Sequence, residues 1–83
     1  MAIQTVYKYI EFVRTDSGKA KTQKWYCMNR NHGERLGVIS WYGAWRQYCY
    51  EPICAATYSA GCLKDIADFI GQLQAEHAAA QHD

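Results

Sequence analysis

Only one segment of the chain repeats its apolar residues at helical spacing, and it does so along a single stripe. Leu63, Ile66, Ile70, Leu73 and His77 follow one another at intervals of three and four, flanked by Ala67 and Phe69, which is the pattern of one buried helix face. The spacing predicts a helix over 60–78, with Ser59 placed to cap its first turn and Asp65 near the positive end of its dipole. One stripe needs one partner face, and no second helical pattern is available to supply it. The partner must be a sheet.

The residues ahead of the helix read as strands separated by turn formers. Thr5–Arg14 is rich in β-branched and aromatic residues and runs into the turn cluster Thr15-Asp16-Ser17-Gly18-Lys19. Thr22–Asn29 alternates Trp25 and Cys27 with Lys24, Tyr26 and Met28, and Asn31-His32-Gly33 then tolerates the positive φ of a hairpin. Leu36–Tyr42 sets Leu36, Val38, Ser40 and Tyr42 against Gly37, Ile39 and Trp41, so neither side of this strand is polar. Gly43-Ala44 permits a turn or bulge, Trp45–Tyr50 returns as a fourth strand that Pro52 should stop, and Ala55–Tyr58 could add a short fifth strand at the edge. The expected architecture is α+β, an antiparallel four-stranded sheet with room for a fifth strand, packed on one C-terminal helix (ββββα) in a single domain over 1–83. The bulk of Trp41 suits a sheet–helix core, so the helix should cover the Ile39 and Trp41 face and leave Leu36, Val38 and Tyr42 on the other.

With 83 residues the chain can bury one core. Trp41, Tyr42, Trp45, Tyr48 and Tyr50 crowd into ten positions, and aromatic residues give a small core much buried area per side chain. Lys8, Glu11, Arg14 and Arg46 break every apolar run well short of the ~18 residues a membrane span requires. The first residues also lack the pattern of a secretory signal, so a cytoplasmic location with no membrane contact is expected. The four cysteines then default to reduced thiols. Charge is unevenly spread: residues 1–50 carry eight Lys/Arg against three Asp/Glu, a net of +5, and residues 51–83 carry one against five, a net of −4. If the two halves form different faces, the basic end would attract an anionic partner.

The chemistry-bearing residues do not assemble into a catalytic or metal pattern. Cys27, Cys49, Cys54 and Cys62 are separated by 22, 5 and 8 positions, whereas structural zinc sites draw ligand pairs two to four residues apart. Cys49 and Cys62 could face the core, and Cys54 reads as the more exposed thiol, but no histidine is tied to it by spacing. Asp65 and Asp68 read as a solvated helix surface. The glycines form no phosphate-cradling motif. A non-enzymatic protein without metal or cofactor is the expectation.

Two features point to binding instead. Lys19, Lys21, Lys24, Arg30 and Arg35 gather around the predicted second hairpin, with Trp25, Tyr26 and Tyr42 able to lie beside them; such a set could neutralise phosphates and stack unpaired bases. Arg46 sits between Trp45 and Tyr48, where an arginine can stack on a ring and present its fork to an acidic group.

The run Leu36-Gly37-Val38-Ile39-Ser40-Trp41-Tyr42-Gly43-Ala44-Trp45-Arg46-Gln47-Tyr48-Cys49-Tyr50-Glu51-Pro52, followed by Gly61-Cys62-Leu63-Lys64-Asp65-Ile66-Ala67-Asp68-Phe69-Ile70, resembles a group of small uncharacterised bacterial and phage proteins. These pair a WY-x-x-WRQYC strand with a CL-x-DI helix. The resemblance covers about half the chain and carries no activity with it. It implies an accessory protein of bacteria or their mobile elements, and the charge asymmetry and the aromatic residues on both sides of one strand add the expectation that it acts by binding a macromolecule such as a host or defence protein. The expected contact residues are Lys24, Arg30, Arg35, Tyr42 and Arg46. A protein partner leads, single-stranded nucleic acid or a nucleotide is the alternative, a homodimer is open, and an enzyme with an exposed cysteine ranks third.

Overall fold

The structure, a computed structural model, describes residues 3–16, 18, 21–53 and 55–80. Four strands, β1 (Ile10–Arg14), β2 (Trp25–Asn29), β3 (Arg35–Tyr42) and β4 (Gln47–Pro52), form one antiparallel sheet in the order β1-β2-β3-β4, and helix α1 (Ala60–Ala80) closes it. The α+β, ββββα architecture is the one the single helical stripe required. Among the described residues no fifth strand forms: Ala55–Tyr58 is irregular. The expected exposure of Cys54 and the turn positions Ser17 and Lys19 lie outside the described residues.

The helix start follows its sequence signal, since the Cys62 N–H donates to the Ser59 hydroxyl oxygen at 3.1 Å and the Leu63 N–H to the Ser59 carbonyl. Its buried face is rotated from the predicted stripe. Ile66, Phe69 and Leu73 are buried, Ile70 is half-buried, and Leu63 is 54% exposed. Phe69 sets this orientation by lying flat on Phe12 of β1, with ring centroids 4.0 Å apart, and by meeting Trp25 of β2 edge-on at 5.0 Å. Leu63 projects from the first turn of the helix, away from this contact. Ile10, Cys27, Leu36, Ile39 and Tyr48 complete the core.

Three further departures from the sequence reading have local causes. The stretch expected as one long first strand doubles back, because Thr5 and Tyr7 hydrogen-bond to Phe12 and Ile10 and Val6 bridges Glu11. No glycine, proline or asparagine marks that bend. It is held from outside: the Tyr7 hydroxyl donates to Asp68 at 2.6 Å and accepts from Gln72, while Gln4 and Gln72 exchange hydrogen bonds. Asp68 is thus an anchor for the N-terminal segment and not only a solvated helix charge. Burial, with Asp68 beside it, pushes the Tyr7 hydroxyl well above the ordinary tyrosine range.

A β-bulge gives the second departure. Cys27 pairs with Gly37 but Met28 pairs with Arg35, so Leu36 is an extra residue in β3 and its side chain turns into the core. Leu36 therefore leaves the open face expected for it. The Tyr50 ring lies over Gly37, where an added Cβ would fall 2.4 Å from it, so only glycine fits there. The third departure is that Trp45 and Arg46 belong to a turn at 43–46, with the Trp45 N–H on the Tyr42 carbonyl, and β4 begins at Gln47. β4 ends at Pro52, the proline expected to stop it, which is itself the last residue of the strand. β4 is an edge strand, where proline costs no ladder bond.

The expected helix-covered face is the one observed: Ile39 is fully buried and the Trp41 ring packs 4.4 Å from His77 of α1. Phe69→Ala should cost about 3–5 kcal/mol of stability, while Leu63→Ala should change it by less than about 0.5 kcal/mol. Denaturant melts of the two variants check this ordering.

Candidate functional site

With α1 on one face, the opposite face of the sheet has no covering element among the described residues. Strand alternation places Glu11 and Val13 of β1, Tyr26 and Met28 of β2, Val38, Ser40 and Tyr42 of β3, and Cys49 and Glu51 of β4 on it. The register aligns Val13, Tyr26, Val38 and Glu51 in one row across all four strands, and Glu11, Met28 and Arg35 in another. An apolar centre of Val13, Tyr26, Met28 and Val38 is therefore rimmed by charges of both signs. Beyond it stands an exposed aromatic pair, Tyr42 and the 66% exposed Trp45, edge-on with centroids 5.0 Å apart.

The five residues expected to bind are divided by the fold. Lys24 adjoins Val38, Ser40 and Glu51 on the open face. Arg35 lies over the Tyr26 ring at 4.5 Å, a cation–π contact, and Tyr42 is at the far end. Arg30 stands apart, at the β2–β3 turn. Its guanidinium donates to the Tyr7 carbonyl at 2.7 Å and its N–H to the Tyr9 carbonyl, so it braces the N-terminal bend. Charge reversal at Arg30 would break that brace as well as alter the surface charge. Arg46 lies on the helix side of the sheet, in a cleft with Trp41, Gln74 and His77. Trp25 is buried against Phe69 and presents no ring to a ligand. The two charge-biased halves of the chain are not segregated to opposite faces, because Glu51 of the acidic half shares the open face with Lys24 and Arg35 of the basic half.

Trp45 was hidden in the sequence by its assignment to a strand. Its signal is the pair Gly43-Ala44, which opens a four-residue turn rather than a two-residue one. Gln23 was missed as well: its N–H donates to the Tyr48 hydroxyl, its side-chain amide to Glu76 and its carbonyl accepts the Trp25 indole N–H. It ties β2 to β4 and α1.

Both sheet edges are partly occupied. The 5–7 segment pairs with β1, and on β4 the Tyr48 N–H donates to the Gln74 side chain while Pro52 has no donor. Addition of a partner strand is thereby disfavoured, and contact falls to the face.

An uncharacterised 9.3 kDa protein of Acholeplasma phage L2 is 30% identical to this chain over 69 residues, covering 83% of this chain and 88% of the phage protein. The chain belongs to the family of that phage protein. No family model matches the chain, and no solved structure matches it. The phage relation agrees with the resemblance carried by the Trp-Arg-Gln-Tyr-Cys strand and the Cys-Leu-Lys-Asp-Ile helix. Among the described residues no helix is long and apolar enough to cross a membrane, and no group of three metal-ligating side chains forms.

Cys27, Cys49 and Cys62 carry free thiols in this phage-family chain. Cys27 is fully buried and hydrogen-bonds with Tyr50, which in turn meets Tyr58, whose hydroxyl donates to the Leu36 carbonyl. Burial pushes the Cys27 thiol up to about 11. Cys49 sits on the open face beside Tyr42 and Trp45, not in the core as one reading of the sequence allowed. A thiol reagent at pH 8 should label Cys49 in the folded protein and reach Cys27 only on unfolding, as read by mass spectrometry of digests.

Proposed function

We propose that this protein is a non-enzymatic accessory protein of a phage or mobile element that acts by binding a protein partner through the open face of its sheet. The observation that carries this reading is the composition of that face, an apolar centre with an exposed aromatic pair and a rim of mixed charge, which is the anatomy of a protein interface. Modulation of a host or defence protein is the role this suggests for a small phage-family chain.

Nucleic acid is the weaker reading on the same surface. Glu11 and Glu51 would repel phosphates beside Lys24 and Arg35. One face of Tyr26 is taken by Arg35, and Tyr42 and Trp45 meet edge-on rather than as a stacking platform. The partner is therefore a folded surface or segment with an apolar patch and charges of both signs.

Affinity purification from the host, with wild type and a Tyr42→Ala/Trp45→Ala variant compared, tests the reading. The variant should lose a stoichiometric protein that the wild type retains, with a melting temperature close to wild type, because exposed substitutions shift stability by less than about 0.5 kcal/mol each. Retention of the partner by this variant and its loss from an Asp65→Lys variant would move the site to the helix. Nucleic acid seen as excess 260 nm absorbance, and lost on Lys24→Glu, would replace the protein partner with the nucleic-acid reading. Self-association abolished by the Tyr42/Trp45 variant would make the partner a second copy.

A further inference from the structure

On the helix side of the sheet, a cleft of about 480 Å³ opens between the β3–β4 turn and the last turns of α1, lined by Trp41, Gly43, Arg46, Gln74, His77 and Ala78. We propose that this cleft binds a phosphate group.

The polar side chains around it are donors. Arg46 offers a five-donor fork and Trp41 an indole N–H, its only polar group. The Gln74 carbonyl oxygen accepts the Tyr48 N–H, which leaves the NH2 as the part of that amide available to a ligand. His77, packed on Trp41 at 4.4 Å, adds an imidazole N–H. Among the described residues no carboxylate lines the cleft, and the neighbouring Glu76 is engaged by Gln23 at 2.7 Å. A space that gathers side-chain donors around a guanidinium favours an oxyanion. Its donors come from a turn, a strand and a helix, an arrangement that suits a tetrahedral phosphate better than a planar carboxylate. The volume also leaves room for a small-molecule body beside the phosphate.

The backbone at Arg46 supplies an independent reason. Arg46 has φ +54°, the one non-glycine left-handed residue among those described. Glycine holds that conformation at lower cost. The chain instead carries there a side chain that makes no hydrogen bond, ion pair or ring contact with any described residue. A strained position that keeps an unpartnered arginine at the mouth of a donor-lined cleft is accounted for if the guanidinium serves a ligand.

Titration of the 15N-labelled protein tests this, using inorganic phosphate, adenosine monophosphate and a short single-stranded oligonucleotide as probes. Inorganic phosphate should shift the Trp41 indole and Gln74 amide signals saturably. Arg46→Gly, which keeps the left-handed turn and removes the guanidinium with its stem, should weaken that affinity by about tenfold or more with no loss of thermal stability. Tighter binding of adenosine monophosphate than of phosphate assigns a free phosphorylated metabolite as the source, and tighter binding of the oligonucleotide than of the monophosphate assigns a nucleic-acid phosphate. Absence of saturable shifts, the same shifts from chloride at matched ionic strength, or unchanged affinity in Arg46→Gly would each overturn the site. None of these outcomes depends on the open sheet face, whose variants leave the cleft intact.

Discussion

Phe69 is fully buried because two aromatic rings from different strands receive it, Phe12 flat against one side and Trp25 edge-on. That contact fixes how α1 is rotated and which face of the sheet it covers. Ile66 and Leu73 follow Phe69 into the core, and His77 is carried onto Trp41 further along. A chain with one helix can cover one face only. The open face, with its apolar centre, is a consequence of where Phe69 sits.

The hydrogen-bonded ties at the sheet margins have a second consequence. Gln72 and Asp68 hold the N-terminal bend, Gln74 occupies the Tyr48 N–H, and Gln23 links β2, β4 and α1. Gln72 and Gln74 satisfy backbone groups of Gln4 and Tyr48 that would otherwise be open to another strand. Together with Pro52 at the outer edge of β4, they direct recognition away from edge pairing and toward side chains on the face or in the Arg46 cleft. The two surfaces lie on opposite sides of the sheet and differ in chemistry, one apolar with mixed charge and the other lined by donors.

Much of this was legible from local pattern. The spacing of Ile66, Ile70 and Leu73 marked the helix, Ser59 its start, Gly33 a hairpin, and the alternation of β3 the two faces. What escaped depended on contacts distant in sequence. The stripe through Leu63 and Ile70 has the same periodicity as the one through Ile66, Phe69 and Leu73, and only the presence of Phe12 and Trp25 opposite decides between them. The bend at Lys8 and Tyr9 has no turn-forming residue because α1 holds it through Tyr7. Leu36 enters the core through a bulge that strict alternation cannot express. Of the candidate contact residues, Lys24 and Tyr42 lie on the open face as alternation implied, and Arg35 joins them only because the bulge at Leu36 reverses its side, whereas Arg30 and Arg46 sit in turns, where side-chain direction follows the turn geometry and not a period of two.

Site-specific photo-crosslinking in the host addresses the central claim, that the uncovered sheet face is the working surface. A benzophenone amino acid in place of Tyr42 should give a discrete covalent adduct with a partner protein, and the same group in place of Ala67, on the exposed back of α1, should give none. An adduct from position 67 and none from position 42 would contradict the account.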